Sequence, residues 1–344
     1  MIKVLVIDDS AVMRAFLSRV VDSQPDMELV GTASDPVLAT DRIRRNTPDV
    51  VTLDVEMPRM NGLDFLRQLM AVRPLPVVMI SSLTRQGADT TIRALELGAV
   101  DFFPKPANLD DLGASGEEIA GKIRAAASAR VARHSPAPVK RTPAGPMPRQ
   151  PAVAATGRVI GIGASTGGVE ALRDILTALP AEMPPILIAQ HMPAGFTETL
   201  ARRLDSICRI TVKQADDGEP VCCGVAYVAP GGRHLELTRR FAGYVLRVTE
   251  NPPVNHHRPS VDTLFHSMAK AAADQAIAVM LTGMGGDGAQ GMLALCRQGA
   301  FTIAQDEASC VVFGMPRQAI ALGAAREVLA LGDVAQRLAA LSKA

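Results

Sequence analysis

The sequence predicts an α/β protein: an N-terminal five-stranded, doubly wound parallel sheet joined to a second, mostly parallel α/β domain. Three observations carry this expectation. Apolar, β-branched runs alternate with segments of helical period through both halves. The runs are apolar without alternation, as befits parallel strands covered by helices on both faces. Between the halves, residues 135–151 hold six prolines (136, 138, 143, 146, 148 and 151) among Ala, Arg, Lys and Gly, a composition that extends rather than packs. A chain of 344 residues suits two domains.

In the first half, strands are expected at 2–7, 28–33, 50–53, 77–80 and 99–103. The intervening segments 11–21, 36–46, 62–71 and 88–98 space their apolar residues by three and four, which predicts amphipathic helices. A further helix at 117–133 leads into the proline-rich stretch. Beyond residue 157, strands at 159–163, 186–190, 226–229 and 277–282 alternate with helices at 168–178, 195–205, 261–273 and 288–298. No internal repeat relates the halves. The expected divisions are a domain over 1–122, a basic linker over 123–156 and a second domain over 157–344.

The net charge of +1 conceals an asymmetry. Residues 1–118 carry 18 acids against 12 bases, 119–169 carry 8 bases and no acid, and 170–344 carry 17 acids against 16 bases. The basic stretch is therefore read as a solvated connector or a contact for acidic partners. Aromatic residues make up 3% of the chain and Trp is absent, which removes the stacking platforms of single-strand nucleic-acid binders, and no nucleic-acid partner is expected. No apolar run approaches the roughly 18 residues of a membrane helix. The segment 1–8 is too short and too soon acidic for a signal peptide, so a cytoplasmic protein without membrane insertion is expected. Five cysteines without CxxC spacing argue against a disulfide framework or a zinc site.

Asp8 and Asp9 follow the first expected strand, and Asp54 closes the third. Successive parallel strands place their carboxyl ends on one edge, so these carboxylates should meet where ligands bind. Crowded carboxylates repel unless a cation joins them, and an oxygen-ligated Mg2+ is the usual solution. Ser81 after the fourth strand and Lys105 after the fifth add a hydroxyl and a cation to that edge. Asp8-Asp9, Leu53-Asp54, Met57-Pro58-x-Met60-Asn61-Gly62, Ser81-Ser82 and Lys105-Pro106, in this order, resemble the receiver domain of two-component response regulators, a flavodoxin-like fold. The resemblance implies phosphoryl transfer from a histidine kinase to Asp54. It further implies Mg2+ bound by Asp9, Asp54 and the Glu56 carbonyl, with Asp8 acting through water. Ser81 and Lys105 would move toward the acyl phosphate, and Phe102 stands at the switch-aromatic position.

The second half opens with a strand running into Gly163-Ala-Ser165-Thr-Gly-Gly168 and a helix. A dinucleotide-binding reading requires G-x-G-x-x-G and an acid about 20 residues on. Here the third glycine is one place late, and the next strand ends in Gln190 and His191 instead of an acid. The competing reading makes Ser165 a nucleophile at the first turn of a helix, served by His191 as base and oriented by Asp287. All three are expected at carboxyl ends of strands, and glycines 283, 285, 286 and 288 would let the loop backbone approach closely, making the Met284 N–H a candidate oxyanion-hole donor. His256 and His257 read as surface-loop residues, because no third metal ligand has suitable spacing.

The serine turn, Gln190-His191-Met192-Pro193, Arg258-Pro-Ser-Val-Asp262 and Leu281-Thr-Gly-Met-Gly-x-Asp287-Gly are similar to the chemotaxis response-regulator methylesterases, whose catalytic domain is Rossmann-like. The resemblance implies hydrolysis of γ-glutamyl methyl esters on chemoreceptor helices with release of methanol, and deamidation of receptor glutamines. It implies no cofactor for the ester reaction, and it makes Thr166 a further oxyanion donor. Two sites joined by a proline-rich segment lead to the expectation that phosphorylation activates the hydrolase. The alternative is a non-catalytic response regulator whose second domain binds a nucleotide or a protein partner.

Overall fold

The structure, a computed structural model, describes residues 1–57, 61–82, 84–105, 112–131, 154–241 and 243–343. The chain divides into two compact units, Met1–Pro138 and Val139–Ala344. The first alternates β1 (Ile2–Ile7), α1 (Ala11–Asp22), β2 (Met27–Ala33), α2 (Pro36–Arg45), β3 (Val50–Asp54), α3 (Gly62–Val72), β4 (Val77–Ser81), α4 (Arg85–Glu96), β5 (Asp101–Pro104) and α5 (Leu112–Ser128). The strands form one parallel sheet in the order β2-β1-β3-β4-β5. Val4–Ile7, β3 and β4 are buried throughout, which the unbroken apolar runs require.

Polar caps fix where the helices begin. Ser10, Asp35, Asn61 and Thr84 each accept a backbone N–H in the first turn of α1, α2, α3 and α4. The Thr84 cap explains why α4 starts at Arg85 and not at the expected 88. Helix α5 buries Ile119, Ile123 and Ala126 and runs through Ser128. The expected helix at 117–133 thus begins earlier and ends earlier, and α5 passes the expected domain limit at 122.

The second unit contains β6 (Val159–Ala164), α6 (Gly168–Ala178), β7 (Ile186–Gln190), α7 (Phe196–Asp205), β8 (Thr211–Gln214), β9 (Val225–Val228), β10 (His234–Arg240), β11 (Gly243–Thr249), α8 (Val261–Ala271), β12 (Ala276–Met280), α9 (Ala289–Arg297), β13 (Phe301–Gln305), α10 (Met315–Ala321), β14 (Glu327–Leu329) and α11 (Leu331–Lys343). Seven strands pair in parallel in the order β14-β13-β12-β6-β7-β9-β8. The antiparallel hairpin β10-β11 stands apart from that sheet, turning Leu235, Leu237, Tyr244 and Leu246 into the core. The flanks of the expected linker are structured. Beyond α5 on one side, Ala155 on the other is buried and donates its N–H to Val221 O at 2.8 Å. The proline-rich segment itself, with Lys140, Arg141 and Arg149, lies outside the described residues.

Candidate functional site

Strand addition in the second sheet reverses at β6, which has β7 on one side and β12 on the other. Loops leaving the carboxyl ends of these adjacent parallel strands open a crevice. Ser165 follows β6, His191 follows β7, and Asp287 lies in the glycine-rich loop after β12. The main chain of Ser165 is strapped to both neighbours. Its N–H donates to Thr282 O at 3.0 Å, and its carbonyl accepts from the Gly168 N–H at 2.8 Å and from Gln190 Nε2 at 2.9 Å. A Cβ on Gly283 would stand 2.6 Å from Ser165 Cβ, so glycine is what permits the two turns to approach.

His191 Nε2 meets Asp287 Oδ2 at 2.8 Å, with the two side chains 8% and 1% exposed. That contact assigns the imidazole proton to Nε2 and leaves a lone pair on Nδ1. Nδ1 is buried and has no hydrogen-bond partner among the described residues. Asp287 collects further donors: the Val261 N–H at 2.6 Å on Oδ2, and Asn255 Nδ2 and Ser260 Oγ, each at 2.8 Å, on Oδ1. Burial pushes the carboxyl pKa up, but the bonds from His191, Asn255 and Ser260 outweigh it and hold the group well below the usual carboxylate range. Asp287 is thus a fixed anion.

The donors from 255 to 260 come from a loop whose geometry is set by a tight turn. Asn255 (φ 52°) and His256 (φ 66°) are both left-handed, between the reciprocal bonds Val254 N–H to His257 O (3.1 Å) and His257 N–H to Val254 O (2.9 Å). Two central residues with positive φ make a type I′ turn, for which Asn is well suited. The turn aims Asn255 Nδ2 at Asp287 and also at Asp262 Oδ2, 2.8 Å away. It also lays the His257 ring on that of His191, with centroids 3.7 Å apart and planes 13° from parallel. The surface-loop expectation therefore holds for exposed His256 and fails for half-buried His257, which is recruited by stacking. The Asn-His pair between Val254 and His257 was the available signal.

Met284 is 43% exposed in the loop beside Ser165. Among the described residues its N–H enters no hydrogen bond, whereas the Gly283 N–H donates to Val312 O at 3.0 Å. Thr166 is buried, and its carbonyl accepts from Thr282 Oγ1 at 3.0 Å.

On the first sheet, oxygens of Asp8, Asp9 and Asp54 lie within 4.8 Å of one another. Asp8 and Asp54 are buried and Asp9 is exposed. Lys105 Nζ sits 3.1 Å from Asp8 Oδ2 and 2.8 Å from Asp54 Oδ2, yet neither oxygen receives a well-aligned hydrogen bond among the described residues. Burial, then the Asp8 charge, push the Asp54 pKa up to about 6 against the pull of Lys105. Burial likewise raises Asp8. An all-oxygen donor set with two under-satisfied buried carboxylates fits a hard cation such as Mg2+.

Glu56 adjoins this pocket through its N–H to Asp54 Oδ1, 3.2 Å, while its carboxylate accepts from Ser82 Oγ at 3.0 Å. The Ser81 hydroxyl is engaged elsewhere, 2.6 Å from Thr91 Oγ1 and 3.3 Å from Gly87 O. Thr91, which the sequence did not single out, is fully buried. Phe102 is packed inside, its ring centroid 5.8 Å from Lys122 Nζ. The structure therefore groups Asp8, Asp9, Asp54 and Lys105, with Glu56 alongside, while the Ser81 hydroxyl and Phe102 pack behind them. Pro58, Met60 and Pro106 lie outside the described residues.

A receiver-type sheet and a hydrolase sheet on one chain define a response regulator that carries an enzyme. Residues 4–115 match the response regulator receiver domain family, and residues 160–338 match the CheB methylesterase family. The protein-glutamate methylesterase/protein-glutamine glutaminase of Bordetella parapertussis is 56% identical over 340 residues, covering 98% of this chain and 96% of its own. The protein of that name from Salmonella typhimurium is 54% identical over 342 residues, with the same coverages. The crystal structure of the Thermotoga maritima CheB methylesterase catalytic domain, 41% identical, superimposes with a TM-score of 0.53 over 54% of this chain and all of that one. This chain belongs to the protein-glutamate methylesterase/protein-glutamine glutaminase family. No helix among the described residues is long and apolar enough to cross a membrane.

Proposed function

We propose that the second unit hydrolyses γ-glutamyl methyl esters on chemoreceptor cytoplasmic helices through Ser165, His191 and Asp287, and deamidates receptor glutamines at the same site. The observation that carries the reading is the buried His191–Asp287 pair, which leaves an unpartnered Nδ1 lone pair on a residue whose main-chain N–H is bonded to the carbonyl of Ala164, the neighbour of Ser165. Nδ1 takes the Ser165 Oγ proton as Oγ attacks the ester carbonyl carbon. The tetrahedral oxyanion is received by the Met284 N–H, with Thr166 as a second donor. As the C–O bond breaks, the imidazolium returns its proton to the departing methoxide, which leaves as methanol. Water, deprotonated by the same nitrogen, then cleaves the acyl-serine to glutamate and free Ser165. With a glutamine side chain the leaving group is ammonia. Asp287 keeps its charge throughout and stabilises the imidazolium.

The first unit supplies regulation in the cytoplasm. Asp54 accepts a phosphoryl group from a histidine kinase, and phosphorylation raises the hydrolase activity. Asp9, Asp54 and the Glu56 carbonyl, with Asp8 through water, would hold a Mg2+ that neutralises the pocket's negative charge. Lys105 is already placed against Asp54, and Ser81 would exchange its Thr91 partner for the acyl phosphate as Phe102 repacks. The proline-rich stretch over residues 135–151 serves as connector.

The test is covalent labelling of the full chain with a fluorophosphonate. Labelling at Ser165 that falls by a factor of 100 or more, order of magnitude, in His191→Gln supports the triad. Equal labelling in both proteins contradicts it.

A further inference from the structure

Gln190 stands where a dinucleotide-binding fold would carry an acid, and the proposed reaction leaves it without a task. The hydrogen-bonded ladder between β6 and β7 ends at the pair Ala164–Gln190, with the His191 N–H on Ala164 O at 3.1 Å. Beyond that point the two strands turn into different loops. The Gln190 side chain continues the ladder: Nε2 donates to Ser165 O at 2.9 Å and to His191 O at 3.2 Å. One amide nitrogen thus ties the main chain of the proposed nucleophile to that of its proposed base. The amide orientation is fixed chemically, because rotating it by half a turn would aim Oε1 at two carbonyl oxygens.

That arrangement has a thermodynamic cost. Gln190 is 3% exposed, and its Oε1 is buried without a hydrogen-bond partner among the described residues. It lies against the start of α6, where a Cβ on Gly168 would come within 2.2 Å of it, so the two residues fit only as a pair. A buried unmade acceptor is destabilising, and such groups persist where they serve something other than stability.

We propose that Gln190 is a positioning residue for the hydrolysis, a clamp that sets the separation of Ser165 and His191 at the expense of an unsatisfied oxygen. This rests on the triad reading above. Ser165 O keeps its bond from the Gly168 N–H when the clamp is removed, so the serine turn survives but loses its tie to the base. A displacement of about 1 Å between reacting groups lowers rate by up to about 100-fold.

The experiment compares full-length wild type with Gln190→Met and Gln190→Leu, apolar side chains that lack the donor. Readouts are kcat and KM on a methylated chemoreceptor fragment, the rate of fluorophosphonate labelling, and the thermal midpoint. The clamp predicts kcat and labelling rate lower by about 10- to 100-fold in both variants. KM should stay within about twofold and the thermal midpoint of the Met variant unchanged, because the Met variant also removes the orphan oxygen. Wild-type kcat in either variant overturns the proposal. Loss of kcat in step with a large fall in the thermal midpoint also overturns it, since Gln190 would then be structural. Ser165→Ala is run alongside. If it retains turnover, the triad reading fails, and that outcome is distinct from failure of the clamp.

Discussion

Asp54 and Asp287 occupy equivalent places, each at the carboxyl edge of a parallel sheet and each almost fully buried, yet their surroundings drive them in opposite directions. Asp54 faces another buried carboxylate and one lysine, and its pKa rises to about 6. Asp287 faces an imidazole, an amide, a hydroxyl and a backbone N–H, and its pKa falls well below the usual range. Burial raises both, so the charge of the neighbouring group and the number of donors decide the difference. An under-satisfied carboxylate suits a site that must bind a cation and take on a phosphoryl group. A saturated one suits a permanent counter-charge. The first pocket is unstable until something arrives, and the second is complete in advance.

The sharpest way to break this contrast is Asp287→Asn, which should lower kcat by about 10^4-fold. A loss below tenfold would mean that His191 does not need its anion. The same substitution should destabilise the second unit by about 2–4 kcal/mol at neutral pH, since the amide opposes donors arranged for an anion. The pH dependence follows in sign. The folded pKa of Asp287 lies below the ordinary aspartate value of 3.8, so its stabilisation is fully present above pH 3.8 and is lost as pH falls from there toward the folded value. The deficit of the Asn variant, read from denaturant midpoints, should be constant from pH 7 to about 4.5 and shrink below pH 4.

Asp54→Asn should act in the opposite sense. A raised folded pKa means stability present below 3.8 and lost as pH rises through about 6, so ionised Asp54 burdens the metal-free receiver at neutral pH. Removing the charge should raise receiver stability by about 1–3 kcal/mol while abolishing phosphoryl acceptance and the gain that Mg2+ gives the wild type. Calorimetry with and without Mg2+ checks this, and a less stable Asn variant would contradict the account of the pocket. The smallest effect is at His257. Replacing it with Ala should lower kcat by about two- to tenfold, and Phe, which keeps a flat ring against His191, should recover most of the loss.

The strand ends that carry these groups were readable because parallel α/β topology places successive carboxyl ends on one edge. Asp8, Asp54, Ser165 and His191 need only a correct strand assignment. Asp287 needs the further step that β12 pairs with β6, which the structure shows in register from Ala276 to Met280. What surrounds Asp287 was less legible. Asn255, His257 and Ser260 reach the site from a turn that has no periodic pattern, and they act across 27 to 32 positions of sequence or through ring stacking. Ser260 was hidden by a second role, since its hydroxyl also accepts the Thr263 N–H as the cap of α8. The hairpin β10-β11 escaped for another reason: its inward residues alternate with Glu, Thr and Arg, a half-covered pattern unlike the continuous apolar runs that marked the parallel strands.

The most direct test is mass spectrometry of methylated chemoreceptor fragments incubated with the full chain, with and without a small phosphodonor. Wild type should remove one methyl group from each modified glutamate, faster with phosphodonor; Asp54→Asn should do so without acceleration, and Ser165→Ala should leave the fragments methylated. Demethylation by Ser165→Ala at the wild-type rate would rule out Ser165 as the nucleophile.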